Sequence, residues 1–326
     1  MSEFLIEPFT ITSENTGRTL AWWVRHYLPT NSWSQVRKLI EQRHVKISGS
    51  VCMDHARRVK TGETVEMLAR PAPTIRGESP KNLTIRHLDD HLVVIEKASG
   101  INTVRHPAEL QWGEERRKLA PTLQDITQWA IAEELGRDAK SLPPLRIVQR
   151  LDKDTSGLVV FARSVLAERL LGKQFHRHTV KRLYWTVVNG RFLPQTISSW
   201  LVRDRGDGRR GSGLEGVGKQ AITHVTVLEK LPQHTVLQCK LETGRTHQIR
   251  IHLSESGHPV CGEKVYNRTV DGRELADPSN APRLALHALE LGFQHPESGE
   301  QIGWKMDLPK DLQGFLERIR GKENTN

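Results

Sequence analysis

The chain has 326 residues, 37% of them hydrophobic, which calls for ordinary packed cores in about two domains and excludes global disorder. No apolar run reaches the length of a membrane span, and the acidic start, with no basic leader, gives no reason to expect a secretory signal. The net charge of +10 and the pI of about 9.7 point to a polyanionic partner, because each lysine or arginine on a phosphate releases a condensed counterion; a solvated basic surface would account for the same charge.

Residues 18–70 read as a compact basic module. Ser32 and Ser34 are candidate caps of a helix whose Val36, Leu39 and Ile40 form an apolar stripe, with Gln35, Arg37, Lys38 and Gln42 opposite. Val45 to Val51 alternates around Gly49, as a hairpin does, and Thr61-Gly62-Glu63 turns into an extended Val65-Glu66-Met67. The Pro-, Gly- and Ser-containing stretch from Arg70 to Pro80 is the best boundary. The expected organisation is a module at 1–70 (core 18–70), a linker at 71–80 and a larger domain at 81–326.

That larger domain opens with a strand over His91–Lys97 and a turn at Ser99-Gly100. An irregular segment follows, then a helix over Leu123–Leu135. Leu158–Phe161 reads as a buried strand, and Ser164 caps a helix bearing Leu166, Leu170, Leu171 and Phe175. Leu183–Val188, Ile222–Leu228 and Thr235–Leu241 read as strands, with a glycine-rich basic loop at 203–219 between the first two. Thr246 to Ser256 reads as a helix stopped by Gly257. Leu312, Phe315, Leu316 and Ile319 form an amphipathic helix after Pro309. Strands and helices without regular alternation predict an α+β fold: a mixed, largely antiparallel sheet flanked by helices, preceded by a small α/β module.

Two glycine patterns in the 203–219 loop resemble nucleotide cradles. Gly211, Gly213 and Gly216 fit one spacing, and Gly213 with Gly218-Lys219 fits most of a P-loop. Gln220 stands where the P-loop needs a magnesium-binding hydroxyl, and an alternating strand follows where both motifs need a helix. No nucleotide cofactor is expected there. Arg209, Arg210 and Lys219 could touch an RNA backbone, or simply be solvated. Cys52, Cys239 and Cys261 are too scattered for a disulfide framework or a zinc site, and the fifteen histidines show no ligand spacing, so no metal is expected.

Two segments carry chemistry. In Gln149-Arg150-Leu151-Asp152-Lys153-Asp154-Thr155-Ser156-Gly157-Leu158, an acid sits between cations just before a buried strand. Such a turn can hold a carboxylate at a cleft edge, although by itself an ordinary charged turn is the plainer reading. In Leu241 to Leu253, followed by Gly257-His258-Pro259, arginines, histidines and a glutamine crowd between apolar anchors. Those side chains read phosphates and base edges; a surface helix is the plain alternative.

In this order the two segments closely resemble the RluA-type pseudouridine synthases. The resemblance rests on R-L-D-x-x-T-S-G at Arg150, on Lys181 to Tyr184, on T-G-R-T-H-Q-I-R-I-H-L from Thr243 with the Gly257-His258-Pro259 that follows, and on Leu286-His287-Ala288 and His295-Pro296. Residues 18–70 look like a small RNA-binding module shared with a small-subunit ribosomal protein. The likeness covers roughly residues 18–320. Gln149 departs from the family's usual histidine, and Ala98 from its usual proline.

The resemblance implies a cofactor-free enzyme that isomerises uridine to pseudouridine in structured RNA, with ribosomal RNA favoured over transfer RNA. The uridine is flipped out of its stack, at a cost of about a few kcal/mol. Asp152 would act as the catalytic acid/base or nucleophile, Arg250 would pair with it, and Tyr184 would stack on the uracil. Arg150 would enter the vacated stack. Arg245 and His247 are candidate RNA contacts, and Arg37, Lys38, Arg43 and Lys46 are candidate phosphate contacts in the first module. A cytoplasmic monomer is expected. One rival is a non-catalytic RNA-binding assembly factor or chaperone, which Gln149 keeps open. Another is a glycosidase using Asp152 with Asp154, which lie too close along the chain to straddle a bond with ease.

Overall fold

The computed structural model describes residues 4–12, 16–72, 83–269 and 273–321. The chain divides into two units, Met1–Arg76 with Arg105–Thr122, and Gly77–Val104 with Leu123–Asn326. The expected linker at 71–80 lies outside the described residues from position 73 onward. The segment 105–122 groups with the first unit, an excursion that the sequence reading had left inside the larger domain.

The first unit contains β1 (Phe4–Thr10), α1 (Leu20–Tyr27), α2 (Trp33–Glu41), β2 (Val45–Ile47), β3 (Ser50–Val51) and β4 (Thr64–Leu68). Its antiparallel sheet has the order β1-β4-β2-β3. Ser32, not Ser34, caps α2. Its hydroxyl accepts from the Gln35 amide at 3.2 Å while Gln35 Oε1 accepts from the Ser32 amide at 2.6 Å, a reciprocal capping box. The hairpin turns on Ser48 and Gly49, both at positive φ, as a two-residue turn of the right twist requires. Residues 4–10 and 20–27, unassigned from the sequence, are β1 and α1.

Arg43 is a correction. It is buried, its Nε donates to the Ala72 carbonyl at 3.1 Å, and its Nη1 donates to the carbonyl of Leu119, the last residue of α3 (Glu114–Leu119). A guanidinium committed to backbone carbonyls holds the unit together and is not a phosphate contact. Arg37 and Lys38 are exposed, and Lys46 is half-buried.

The second unit adopts the expected α+β fold. Its strands are β5 (Ile85–Leu88), β6 (Leu92–Lys97), β7 (Arg146–Ile147), β8 (Ser156–Ala162), β9 (Lys181–Asn189), β10 (Gln195–Val202), β11 (Gly211–Gly213), β12 (Lys219–Lys230), β13 (His234–Leu241), β14 (Leu286–Gln294) and β15 (Gln301–Lys305). They form one sheet, ordered β11-β10-β12-β13-β9-β14-β8-β6-β5, with β15 on β14 and β7 on β8. The helices are α4 (Leu123–Leu135), α5 (Val165–His176), α6 (Gln248–Glu255) and α7 (Lys310–Gly321). Among the described residues no helix is long and apolar enough to cross a membrane.

Every residue of β8 is buried, as its unbroken apolar run predicts for a central strand. It runs parallel to β14, while the other pairings are antiparallel. Gly157 makes that junction possible. Its φ is +127°, and a Cβ there would stand 2.3 Å from the Ala288 carbonyl oxygen.

Helix α6 begins at Gln248 and not at Thr246; His247 precedes it in the left-handed region, at φ 59°. The helix is buried from Gln248 to Ser254, so the surface-helix alternative fails. Its polar residues are satisfied inside. Gln248 Oε1 accepts from Thr243 Oγ1 and the Arg245 amide, and its Nε2 donates to the Ile222 carbonyl and Thr223 Oγ1. His252 lies between Thr223 and Ser199 hydroxyls, and burial holds its pKa down at about 4. Those two side chains fasten the helix to the sheet and are not free to read bases.

The 203–219 loop is more structured than its glycines suggest. Its β11 segment pairs with β10, and Ser212 Oγ donates to Glu255 Oε2 at 2.5 Å. Strand β12 follows the glycines directly, so no helix N-terminus meets them.

Candidate active site

The turn between β7 and β8 carries Asp152. Its backbone is held from beneath by a lysine with no solvent exposure. Lys97 Nζ donates to the carbonyls of Ala98 at 3.0 Å, Lys153 at 2.8 Å and Thr155 at 2.7 Å. Burial pushes this ammonium down to about 7, opposed by the charges of Asp154 and Asp152. Thr103 Oγ1 donates to the Leu151 carbonyl at 2.6 Å and accepts from the Leu151 amide at 3.1 Å. Ser99 Oγ donates to the Asp154 carbonyl and the Gly100 amide to the Lys153 carbonyl. A segment fixed at so many backbone atoms keeps its carboxylate in one place.

That carboxylate opens into a cavity of about 580 Å³ whose lining includes Arg150, Asp152, Tyr184, Arg245, His247 and Arg250. The structure thus gathers six sequence-predicted residues from three separate segments. Asp154 does not line it, so a second carboxylate is not offered opposite Asp152 by that residue. Gln149 lines it too, with Nε2 donating to the Leu158 carbonyl at 3.4 Å, so the departure from the family pattern is still polar and tied to β8.

Two cation-capable groups flank Asp152. Arg250 Nη1 lies 3.8 Å from Oδ2, and His247 Nε2 lies 3.8 Å from Oδ1. The expected Arg250–Asp152 pair is therefore present, but at the long end of ion-pair range. The short hydrogen bonds of Arg250 go elsewhere, to a residue that sequence reading missed. Its Nε and Nη2 donate to the two oxygens of Glu263, both at 2.7 Å. Burial of Glu263 opposes its charge. Arg250 and the amides of Val265 and Tyr266 outweigh that, and the carboxyl titrates below its usual range. Burial likewise opposes the arginine's charge, and Glu263 and Asp152 more than restore it.

Tyr266, also missed, stands beside this pair. Its hydroxyl is 2.7 Å from His247 Nδ1, and the Arg250 guanidinium lies 5.3 Å from its ring. With Nδ1 accepting from the hydroxyl, the other ring nitrogen carries its proton toward Asp152. Burial lowers the His247 pKa, partly offset by Asp152, which favours this neutral form.

Tyr184 is 8% exposed, in register with Cys239 on β13 and Ala288 on β14, and presents its ring to the cavity. Burial raises its hydroxyl to about 12, so it stays protonated. Arg182, another missed residue, lines the same space and donates from Nη2 to the Glu242 carbonyl at 3.0 Å. A Cβ at Gly244 would stand 2.6 Å from its Nη1, so a side chain there would have to displace the guanidinium. Arg150 is exposed at the rim, and Arg245 donates from Nε to the Gln220 carbonyl at 2.9 Å. The only sequence trace of Glu263 and Tyr266 is an acid and an aromatic three residues apart, after Gly257-His258-Pro259.

The arrangement supplies a carboxylate on an anchored turn, a guanidinium and an imidazole beside it, and an aromatic wall. Comparison with known proteins identifies the family. A family model described as RNA pseudouridylate synthase matches residues 91–255. The ribosomal large subunit pseudouridine synthase D of Nitrosomonas europaea is 34% identical over 315 residues, covering 95% of this chain and 87% of the relative. The protein of that name from Neisseria meningitidis serogroup A is 33% identical over 320 residues, covering 95% and 81%. Among solved structures, human RNA pseudouridylate synthase domain containing 4 shares the fold, with a TM-score of 0.57 at 21% identity over 72% of this chain and 92% of that one.

Proposed function

The chain belongs to the RNA pseudouridylate synthase family, and from that membership we propose that it isomerises uridines of ribosomal RNA, with Asp152 as the catalytic carboxylate. The ribosomal assignment is supported by the names of the relatives that cover most of its length. The observation that carries the residue assignment is the rigid Asp152 carboxylate in the cavity, 3.8 Å from both Arg250 and His247.

The reaction cleaves the bond between ribose carbon 1 and uracil nitrogen 1, turns the base and rejoins it through carbon 5. A flipped uridine would enter the cavity with its base against Tyr184 and its ribose toward Asp152. The carboxylate serves as nucleophile or proton acceptor during cleavage and rejoining. Arg250 stands beside it as its counter-ion. Exposed Arg150 fills the gap left in the RNA stack, and Arg245 and His247 contact the RNA at the rim. In the first unit, Arg37, Lys38 and Lys46 add phosphate contacts. In this reading the enzyme acts as a cytoplasmic monomer.

The test uses RNA tritiated at uracil carbon 5, because isomerisation must expel that hydrogen to water. The parent should release tritium. Asp152→Asn should bind RNA and release none. If neither protein turns over unmodified ribosomal or transfer RNA while both bind it, the chain is a binding protein on a synthase fold.

A further inference from the structure

The first unit carries an aromatic surface that no chemistry in the cavity uses. On α1, Trp22 and His26 stack at 5.2 Å with their planes 7° apart, and the Arg18 guanidinium lies 5.2 Å from the Trp22 ring. Tyr27, at 40% exposure, stacks on Phe9 at 4.1 Å. At the start of α2, Trp33 is 48% exposed, and the Arg25 guanidinium lies 5.6 Å from its ring. Arg25 is itself held, donating from Nη1 to the Asn31 carbonyl. Arg37, one helical turn beyond Trp33 on α2, and the adjacent Lys38 are exposed.

An indole half in water forgoes burial that is worth roughly 25 cal/mol per Å² of apolar surface, and the core of this unit already contains Trp23. Its surroundings decide what would cover it. Besides the buried Arg43, residues 16–46 hold Arg18, Arg25, Arg37, Lys38 and Lys46 against one carboxylate, Glu41. An apolar protein partner would have to desolvate those cations without compensation. An unpaired RNA strand supplies both complements, base faces for the rings and phosphates for the cations. A duplex cannot, because its base faces are occupied by stacking.

We propose that Trp33, flanked by Arg25 and Arg37, and the Trp22–His26 stack form a platform on which unpaired nucleotides of the RNA substrate stack. The platform rests on the reading of the chain as an RNA-modifying enzyme and gives the first unit a definite task. It grips single-stranded segments of the substrate, so that the enzyme binds RNA where it is already open. The rings contribute affinity with little dependence on salt, and the cations contribute the salt-dependent part.

The test compares full-length parent, Trp33→Ala, Trp33→Phe and Arg37→Ala for binding of a short oligouridylate and of an RNA duplex of equal length across a salt series. Trp33→Ala should weaken oligouridylate binding by roughly 5- to 100-fold, the range of base stacking on an aromatic side chain, leaving duplex binding and the salt slope unchanged. Trp33→Phe should keep most of the affinity. Arg37→Ala should weaken both ligands and flatten the single-strand salt slope by about 0.7. Unchanged oligouridylate affinity in Trp33→Ala overturns the proposal, and so does an equal loss on the duplex. Thermal unfolding should match that of the parent, because Trp33 is at the surface. Tritium release by Trp33→Ala should show the parental kcat with a raised KM. A parent that releases no tritium at all defeats the catalytic assignment instead, and the oligouridylate comparison still decides the platform.

Discussion

Arg250 spends two of its nitrogens on Glu263, both at 2.7 Å, and turns the third toward Asp152 at 3.8 Å. The cation beside Asp152 is thus aimed by a second carboxylate, which is 1% exposed. A lone arginine would collapse onto Asp152 or rotate away. Held bidentately, it faces Asp152 without a short hydrogen bond to either of its oxygens.

Glu263 is therefore a positioning residue. Glu263→Gln keeps the shape but removes the charge that orients the guanidinium, and breaking a buried pair costs about 3–5 kcal/mol of stability. With the fold verified by circular dichroism below its lowered melting point, kcat should fall roughly 10- to 100-fold, about 1.4–2.8 kcal/mol, while KM for RNA stays near the parental value. A loss confined to stability or to KM would remove Glu263 from the site.

Lys97 supports the turn from the other side. Lys97→Met fills the same volume without donors, so the carbonyls of Ala98, Lys153 and Thr155 each lose one, and Lys153 keeps the Gly100 amide. We expect a stability loss of roughly 3 kcal/mol or more, from unsatisfied buried acceptors, and lower kcat on saturating RNA. Hydrogen exchange should rise in residues 151–156, and unchanged protection there would contradict the clamp.

Gly157→Ala should be the most damaging small substitution in the sheet. The methyl would lie 2.3–2.6 Å from backbone and side-chain atoms of Ala288, at a φ of +127°. A clash with backbone cannot be relieved by rotating a side chain, so destabilisation should exceed about 3 kcal/mol, read as a lowered urea midpoint or failure to fold.

Acid should weaken the fold before the carboxylates protonate. Burial lowers His252 and His287 from 6.5 to about 4. The unfolded chain takes up these protons first. The stabilisation is thus complete above pH 6.5 and is lost as pH falls from 6.5 toward 4. Urea midpoints should decline across that window, and a double His252→Gln, His287→Gln variant should flatten the decline. A parent whose midpoint is constant there would show that the two imidazoles are not held neutral.

The sequence by itself determined the family and what most elements are. The periodicity of α7, the apolar run of β8 and the Ser32 and Ser164 caps are local properties, written within a turn or two of chain. Asp152, Tyr184 and Arg250 were readable because their neighbours along the chain form recognisable motifs. Only the tertiary structure decided what holds them. Lys97 meets carbonyls 56 and 58 residues away, and Glu263 meets Arg250 across 13 residues with no helical or strand period between them. The same cause buried Arg43 and α6, whose polar residues looked exposed until Thr223 and Ser199 were brought beside them. A buried polar group is tolerated only when a partner is fixed next to it. That partner is chosen by the packing of distant segments, and spacing along the chain does not record it.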